Sequence, residues 1–159
     1  MNQVDVIDNF LPEKQFKSIQ SVMMGEDFPW YYKDYIAYEW KEDNGFQFTH
    51  MFLDPDVGNS SRYYLMKPFE KMGKMYRIKS NLRTRTLFRG RSYYHIDYPN
   101  MTTAIFYINT CNGYTKFKKG GKIKSVENRM VIFDSNLEHA GFSTTDEKKR
   151  IVINFNYEV

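Results

Sequence analysis

Tyr93-Tyr94-His95-Ile96-Asp97 is the stretch that decides how this chain is read. In an extended strand, side chains two apart point to the same face. His95 and Asp97 therefore aim an imidazole and a carboxylate at a common point. With His139 they make two histidines and one carboxylate, the set that holds non-haem Fe(II) on one face and leaves coordination positions open. Such a set needs a scaffold that brings His139 next to a strand 42 positions earlier, so the fold question and the site question are the same.

The scaffold is readable on either side of that stretch. From about residue 80 onward, short strand-like runs alternate with turn signals. Eight are expected: about 84–89, 91–97, 102–109, 114–117, 122–126, 129–134, 138–142 and 150–157. Asn112-Gly113 and Gly120-Gly121 mark hairpins, and Asn128 and Asp134-Ser135-Asn136 mark further breaks. Many short, evenly spaced strands predict a sandwich or jelly roll, and the expected fold is a mainly β (α+β) chain with a double-stranded β-helix (jelly-roll or cupin-like) core. In the last strand Ile151, Ile153 and Phe155 alternate with Arg150, Val152 and Asn154. The apolar face packs outward under helices, and Arg150 points into the mouth of the barrel.

The N-terminal half supplies the cover. Val4, Val6 and Ile7 suggest a short opening strand. Pro12 can begin a helix, and Phe16, Ile19 and Met23 form its buried stripe before Gly25 and Pro29 end it. Aromatic runs at 30–40 and 46–53, parted by a turn at Glu42-Asp43-Asn44-Gly45, predict two strands. His50, in the second, reads as a packed or hydrogen-bonded residue. Asp54-Pro55 and Gly58-Asn59 make a loop, and Ser60 or Ser61 can cap a second helix. Leu65, Phe69, Met72 and Tyr76 give that helix its stripe, with Met66, Met72 and Met75 as core filler. These are two supporting N-terminal helices.

Composition narrows the classes. A chain of 159 residues suggests one domain spanning 1–159, with 1–80 as helices and aromatic strands and 81–159 as the jelly-roll core. A net charge of +4 is mild, and a solvated basic surface explains it about as well as an acidic partner does. A lone cysteine, Cys111, excludes an intrachain disulfide and fits a reducing cytoplasm. Residues 1–12 show neither a basic start nor a long apolar run, so no signal peptide is expected. No stretch approaches the ~20 apolar residues of a membrane span.

His95-Ile96-Asp97, then His139, then Arg150 eleven residues on resembles the 2-oxoglutarate- and Fe(II)-dependent oxygenases, and within them the prolyl 4-hydroxylase-like branch, including small members encoded by bacteriophages. Val-Ile-Asp-Asn-Phe-Leu-Pro at 6–12, Phe106-Tyr107-Ile108-Asn109, Asn112-Gly113-Tyr114-Thr115-Lys116-Phe117 and Asn128-Arg129-Met130-Val131-Ile132-Phe133 are similar to that branch as well. The resemblance implies iron on His95, Asp97 and His139. It also implies 2-oxoglutarate with its far carboxylate on Arg150, whose planar fork matches a carboxylate. Hydroxylation of a prolyl residue in a peptide or protein, with release of succinate and CO2, is the implied reaction. Ascorbate is a possible reductant, and a free amino acid or other small molecule is an alternative substrate. A phage-encoded member would work in the host cytoplasm. The chain departs from the branch in two places. Animal and algal prolyl hydroxylases usually carry a lysine at the position of Arg150, and many arginine-type members have serine where this chain has Val152. The hydroxyl partner of the co-substrate must then come from elsewhere, with Tyr93 and Tyr107 as candidates. Asn109 and Asn154 share the inward parity and either could orient substrate or co-substrate.

Two other readings use the same residues. Arg83, Arg85, Arg89 and Arg91, with Lys116, Lys118, Lys119, Lys122 and Lys124, could track phosphates in a nucleic-acid-modifying oxygenase of the same superfamily. Against it, Thr145 stands six residues after His139 and no arginine follows Arg150. A non-catalytic cupin-like module binding metal or sugar would not need Arg150.

Overall fold

The structure is a computed structural model and describes residues 4–37, 45–88, 90 and 93–159. The chain opens with strand β1 (Asp5–Ile7) and helix α1 (Glu13–Met24), which Pro12 precedes. Phe16, Ile19 and Met23 are its buried residues, as their spacing predicts. Strands β2 (Tyr31–Lys33) and β3 (Gln47–Asp54) pair antiparallel, and β4 (Gly58–Asn59) folds back on the end of β3. The end of the 30–40 run, most of the turn at 42–45, and Arg89 and Arg91 lie outside the described residues.

The second helix differs from expectation in type and length. It is a 3-10 helix, Tyr63–Met72, with Pro68 inside it. Proline lacks the N–H that an α-helical ladder would require there. Neither serine caps it, because Arg62 holds the cap position without a side-chain hydrogen bond. Ser60 Oγ instead accepts from the Arg62 N–H and bonds His50 Nε2. Tyr76, placed on this helix by its spacing, lies in β5 (Lys74–Thr84), the longest strand. That strand takes the place of the run expected at 84–89.

The remaining strands are β6 (Thr102–Tyr107), β7 (Tyr114–Phe117), β8 (Lys122–Lys124), β9 (Arg129–Asp134), β10 (His139–Phe142) and β11 (Lys149–Glu158). An eight-stranded antiparallel sheet runs β1-β9-β6-β11-β5-β3-β2, with β4 beside β3. A three-stranded sheet, β10-β7-β8, faces it. Within the run expected at 91–97, residues 93–97 form no strand: only His95 pairs, through an isolated bridge to His139.

The large sheet is apolar on both faces over part of its area. On the outer face Phe16, Ile19 and Met23 from α1 and Leu65, Met66 and Phe69 from the 3-10 helix cover Ile78, Phe106, Ile151, Ile153 and Phe155. Phe69 packs edge-on to Phe106, with ring centroids 5.0 Å apart, and lies 4.8 Å from Phe155. Between the sheets Ile105, Tyr107, Phe117, Val131, Phe133 and Val152 form a smaller core. It fills one end of the space, and a cavity of about 460 Å³ occupies the other. No helix among the described residues is long and apolar enough to cross a membrane.

Candidate metal and co-substrate site

His95 and His139 exchange both backbone hydrogen bonds, each 3.0 Å, which sets their rings 4.7 Å apart. Each imidazole is fixed the same way. His95 Nδ1 lies 2.9 Å from the Tyr93 carbonyl, and His139 Nδ1 lies 3.0 Å from the Leu137 carbonyl. A carbonyl only accepts, so Nδ1 carries the proton in both and each Nε2 is left with its lone pair. This is the outer support that metal-binding histidines generally have. Burial pushes the His139 imidazole below its usual pKa, keeping it neutral and able to ligate.

Asp97 completes the set. One ligand atom from each of His95, Asp97 and His139 lies within 4.8 Å of the other two, so one ion can reach all three after small side-chain rotations. Burial alone would raise the Asp97 pKa. The charge His139 carries when protonated and the Arg77 guanidinium outweigh it and hold the carboxyl below the ordinary range. Its oxygens are oriented by a closed ring of polar groups. Arg77 Nη2 lies 3.5 Å from Oδ1, and Thr103 Oγ1 donates to Oδ2 at 3.2 Å. Asn156 Nδ2 donates to Thr103 at 3.0 Å, while its carbonyl accepts from Arg77 Nε at 2.9 Å. Sequence reasoning missed Arg77, Thr103 and Asn156. Asn156 had a signal, since it continues the inward parity of Arg150, Val152 and Asn154.

Arg150 projects from β11 into the same cavity and is only 4% exposed. Its Nε donates to Ser125 Oγ at 2.7 Å and its Nη2 to Thr115 Oγ1 at 3.2 Å. The guanidinium carbon stands 5.5 Å from the centre of the Tyr107 ring. No carboxylate among the described residues pairs with it, and burial pulls its pKa down. A buried guanidinium without a counter-charge is unfavourable unless an anion joins it. Room for the arginine is made by Gly113, where a Cβ would stand 2.6 Å from Arg150 Cδ.

The remaining expected site residues are distributed as follows. Tyr107 is fully buried and donates to Thr115 Oγ1 at 2.8 Å, so it supports the wall that Arg150 touches. Asn154 lines the cavity. Asn109 does not: its amide donates to the Lys149 carbonyl and accepts from the Ile151 N–H, both at 2.9 Å, which clamps β11 on either side of Arg150. The Tyr93 ring is exposed and off the cavity, and its backbone carbonyl is the part that serves His95. His50 is packed among Phe28, Phe52 and Tyr31 and bonded to Pro29 and Ser60. The lysines of the β7–β8 hairpin are exposed and none lines the cavity.

No family model matches the chain, and no curated protein does. Solved structures do. A prolyl hydroxylase from Trichoplax adhaerens, in complex with a peptide fragment of the hypoxia inducible factor oxygen degradation domain, superposes with a TM-score of 0.64 at 12% identity. The match covers 99% of this chain and 84% of that one. The fold is that of the 2-oxoglutarate- and Fe(II)-dependent oxygenases. An oxidoreductase of the 2OG-Fe(II) oxygenase family from Burkholderia pseudomallei gives a TM-score of 0.66 at 8% identity, over 98% of this chain and 84% of that one. HygX from Streptomyces hygroscopicus, solved with nickel, 2-oxoglutarate and hygromycin B, gives 0.60 at 11%, over 99% and 83%. These oxygenase-fold neighbours come from an animal and from bacteria, and lend no support to a bacteriophage likeness.

Proposed function

We propose that the chain is an Fe(II)- and 2-oxoglutarate-dependent dioxygenase that hydroxylates an unactivated C–H group. The observation that carries this reading is the pairing of two features in one cavity. His95, Asp97 and His139 converge there, and Arg150 is buried there without a carboxylate partner among the described residues. A non-catalytic metal-binding barrel would account for the first and leave the second unexplained. His95, Asp97 and His139 would hold the ion, and the Arg150 fork would take the far carboxylate of 2-oxoglutarate. Iron and 2-oxoglutarate supply oxygen activation, with succinate and CO2 as co-products. The residues of the chain contribute position. Arg77, Thr103 and Asn156 orient Asp97, backbone carbonyls orient both imidazoles, and Ile105 and Val152 give the cavity an apolar side that limits water.

For the substrate we propose a prolyl residue in a peptide. Support comes from two neighbours described as prolyl hydroxylases, the one from Trichoplax adhaerens and one from Pseudomonas putida. Under nitrogen, Fe(II) plus 2-oxoglutarate should give a visible charge-transfer band, and His139→Ala should abolish it. In air, succinate release should depend on a prolyl peptide that gains one oxygen by mass spectrometry. Absence of the band in the unaltered protein defeats the oxygenase reading. A band with succinate release only on metabolites or nucleosides defeats the prolyl reading alone.

A further inference from the structure

Strand β5 turns every second side chain toward the cavity: Arg77, Lys79, Asn81 and Arg83. Arg150 on the neighbouring strand is a fourth cation, and Asp97 is the only carboxylate lining the cavity among the described residues. A divalent ion and the 2-oxoglutarate dianion cancel one another. Counting the described residues, the loaded cavity therefore keeps an excess of three positive charges. Charges of one sign facing a partly enclosed space create a strong field for the opposite sign.

The cations divide by what they touch. Arg150 belongs to the co-substrate under the reading above. Arg83 sits opposite it in register and donates to the Gly141 carbonyl at 3.0 Å. Arg77 is engaged with Asp97 and Asn156. Lys79 stands between these groups with no hydrogen bond or ion pair among the described residues. Burial, then the Arg77 charge and further off Lys33, bring its ammonium down to about 8, with Asp97 partly opposing. Beside it on the same wall, Asn81 Oδ1 is buried without a donor among the described residues. One face of one strand thus offers an unmatched cation and an unmatched acceptor about 7 Å apart along the chain. An amino acid or peptide presents the matching pair, a carboxylate and an N–H.

We propose that the primary substrate is an amino-acid or peptide unit whose carboxylate docks on Lys79 and whose N–H is received by Asn81 Oδ1. The strand then holds the C–H to be attacked against the His95–Asp97–His139 centre. The assignment rests on the oxygenase reading for the fate of Arg150, and it adds charge to the substrate class: an acidic residue beside the target, or the free α-carboxylate of a single amino acid.

The probes are a prolyl peptide flanked by glutamate, the same peptide with glutamine, free proline, and prolinamide. Binding is read from the shift each causes in the visible band of the protein loaded anaerobically with Fe(II) and 2-oxoglutarate. At least one anionic probe should bind more tightly than its neutral counterpart. Lys79→Met should weaken that probe about 10- to 100-fold, the scale of one charge-assisted hydrogen bond. Lys79→Arg should retain the preference, and neither variant should change 2-oxoglutarate affinity. A preference for the glutamate peptide identifies a side-chain carboxylate as the source, and a preference for free proline identifies the α-carboxylate. Equal binding of charged and neutral probes overturns the proposal, as does a Lys79→Met variant that weakens 2-oxoglutarate instead. A second readout needs neither metal nor co-substrate. Acylation of Lys79 at pH 8, followed by mass spectrometry, should be slowed by the anionic probe and not by its amide. If the band never forms, the oxygenase reading fails by itself, and lack of protection in the labelling experiment then overturns the Lys79 assignment independently.

Discussion

Replacing Arg150 with methionine separates the empty chain from the loaded one. In the empty chain the substitution removes hydrogen bonds to Ser125 and Thr115, about 1 kcal/mol each. It also removes a buried charge with no carboxylate partner among the described residues, a burden of roughly several kcal/mol. Methionine is flexible enough to fill the vacated space. The empty variant should therefore be at least as stable as the parent, to within about 1 kcal/mol. With 2-oxoglutarate present the order reverses. Losing a charge-assisted fork weakens binding by about 2.7 kcal/mol or more, roughly 100-fold. At a concentration of about 100 times the parent's Kd, the ligand stabilises the parent by about 2.7 kcal/mol and the variant by about 0.4 kcal/mol. In a chain of 159 residues each kcal/mol moves Tm by about 2–4 °C. A shift of about 5–10 °C in the parent should thus shrink to about 1 °C. Thermal unfolding with redox-silent Mn(II), with and without 2-oxoglutarate, measures it. A variant that keeps the full shift, or one that loses more than about 3 kcal/mol when empty, would make Arg150 a structural residue and not an anion receptor.

Other perturbations probe the surroundings of the site. Gly113→Ala puts a Cβ 2.6 Å from Arg150 Cδ and 2.9 Å from the Phe142 carbonyl, so it should destabilise by about 1–3 kcal/mol in denaturant and weaken 2-oxoglutarate as well. Arg77→Gln releases the ring of polar groups around Asp97, and metal affinity by competition with a chelator should fall about 10- to 100-fold. A smaller change would mean that Thr103 and Asn156 suffice. Burial holds His50 below 6.5 in the folded chain, so the unfolded chain takes up the proton first as pH falls. Stability of the metal-free chain should decline from about pH 6.5 down to the lowered folded value. His139 contributes in the same direction, so His50→Gln should reduce that slope without removing it. An unchanged slope would exclude His50 as a source.

The parts of the fold that could be read from sequence are those where periodicity reports burial. Phe16, Ile19 and Met23 have the outer face of the sheet on one side and solvent on the other, so their helical spacing shows clearly. Ile151, Ile153 and Phe155 alternate with the cavity residues for a similar reason. Strand β5 was hidden by its place in the cavity wall. Its inward face is polar because it lines the cavity, so Arg77, Lys79, Asn81 and Arg83 give no apolar alternation to mark a strand. The outer face shows only Ile78, Ser80 and Leu82. Tyr76 then extended the spacing of Leu65, Phe69 and Met72 by chance and drew the strand into the helix. His95 and Asp97 share a face although only one residue between 93 and 97 pairs, because an extended loop alternates as a strand does. Asn109 shows the limit of parity, since β6 ends at Tyr107 and the chain has already turned.

Strand β11 lies at the centre of the large sheet, between β6 and β5, with Ile151, Ile153 and Phe155 outward and Arg150, Val152 and Asn154 inward. A slip of one residue in its pairing would exchange the two sets. The guanidinium would be driven into the helix-covered core, and isoleucine would enter the cavity. A misregistered chain therefore loses the inward guanidinium and the apolar core together, and it cannot accumulate as a well-folded but miswired form. The alternation on this one strand acts as proofreading, tying correct assembly of the core to correct assembly of the site.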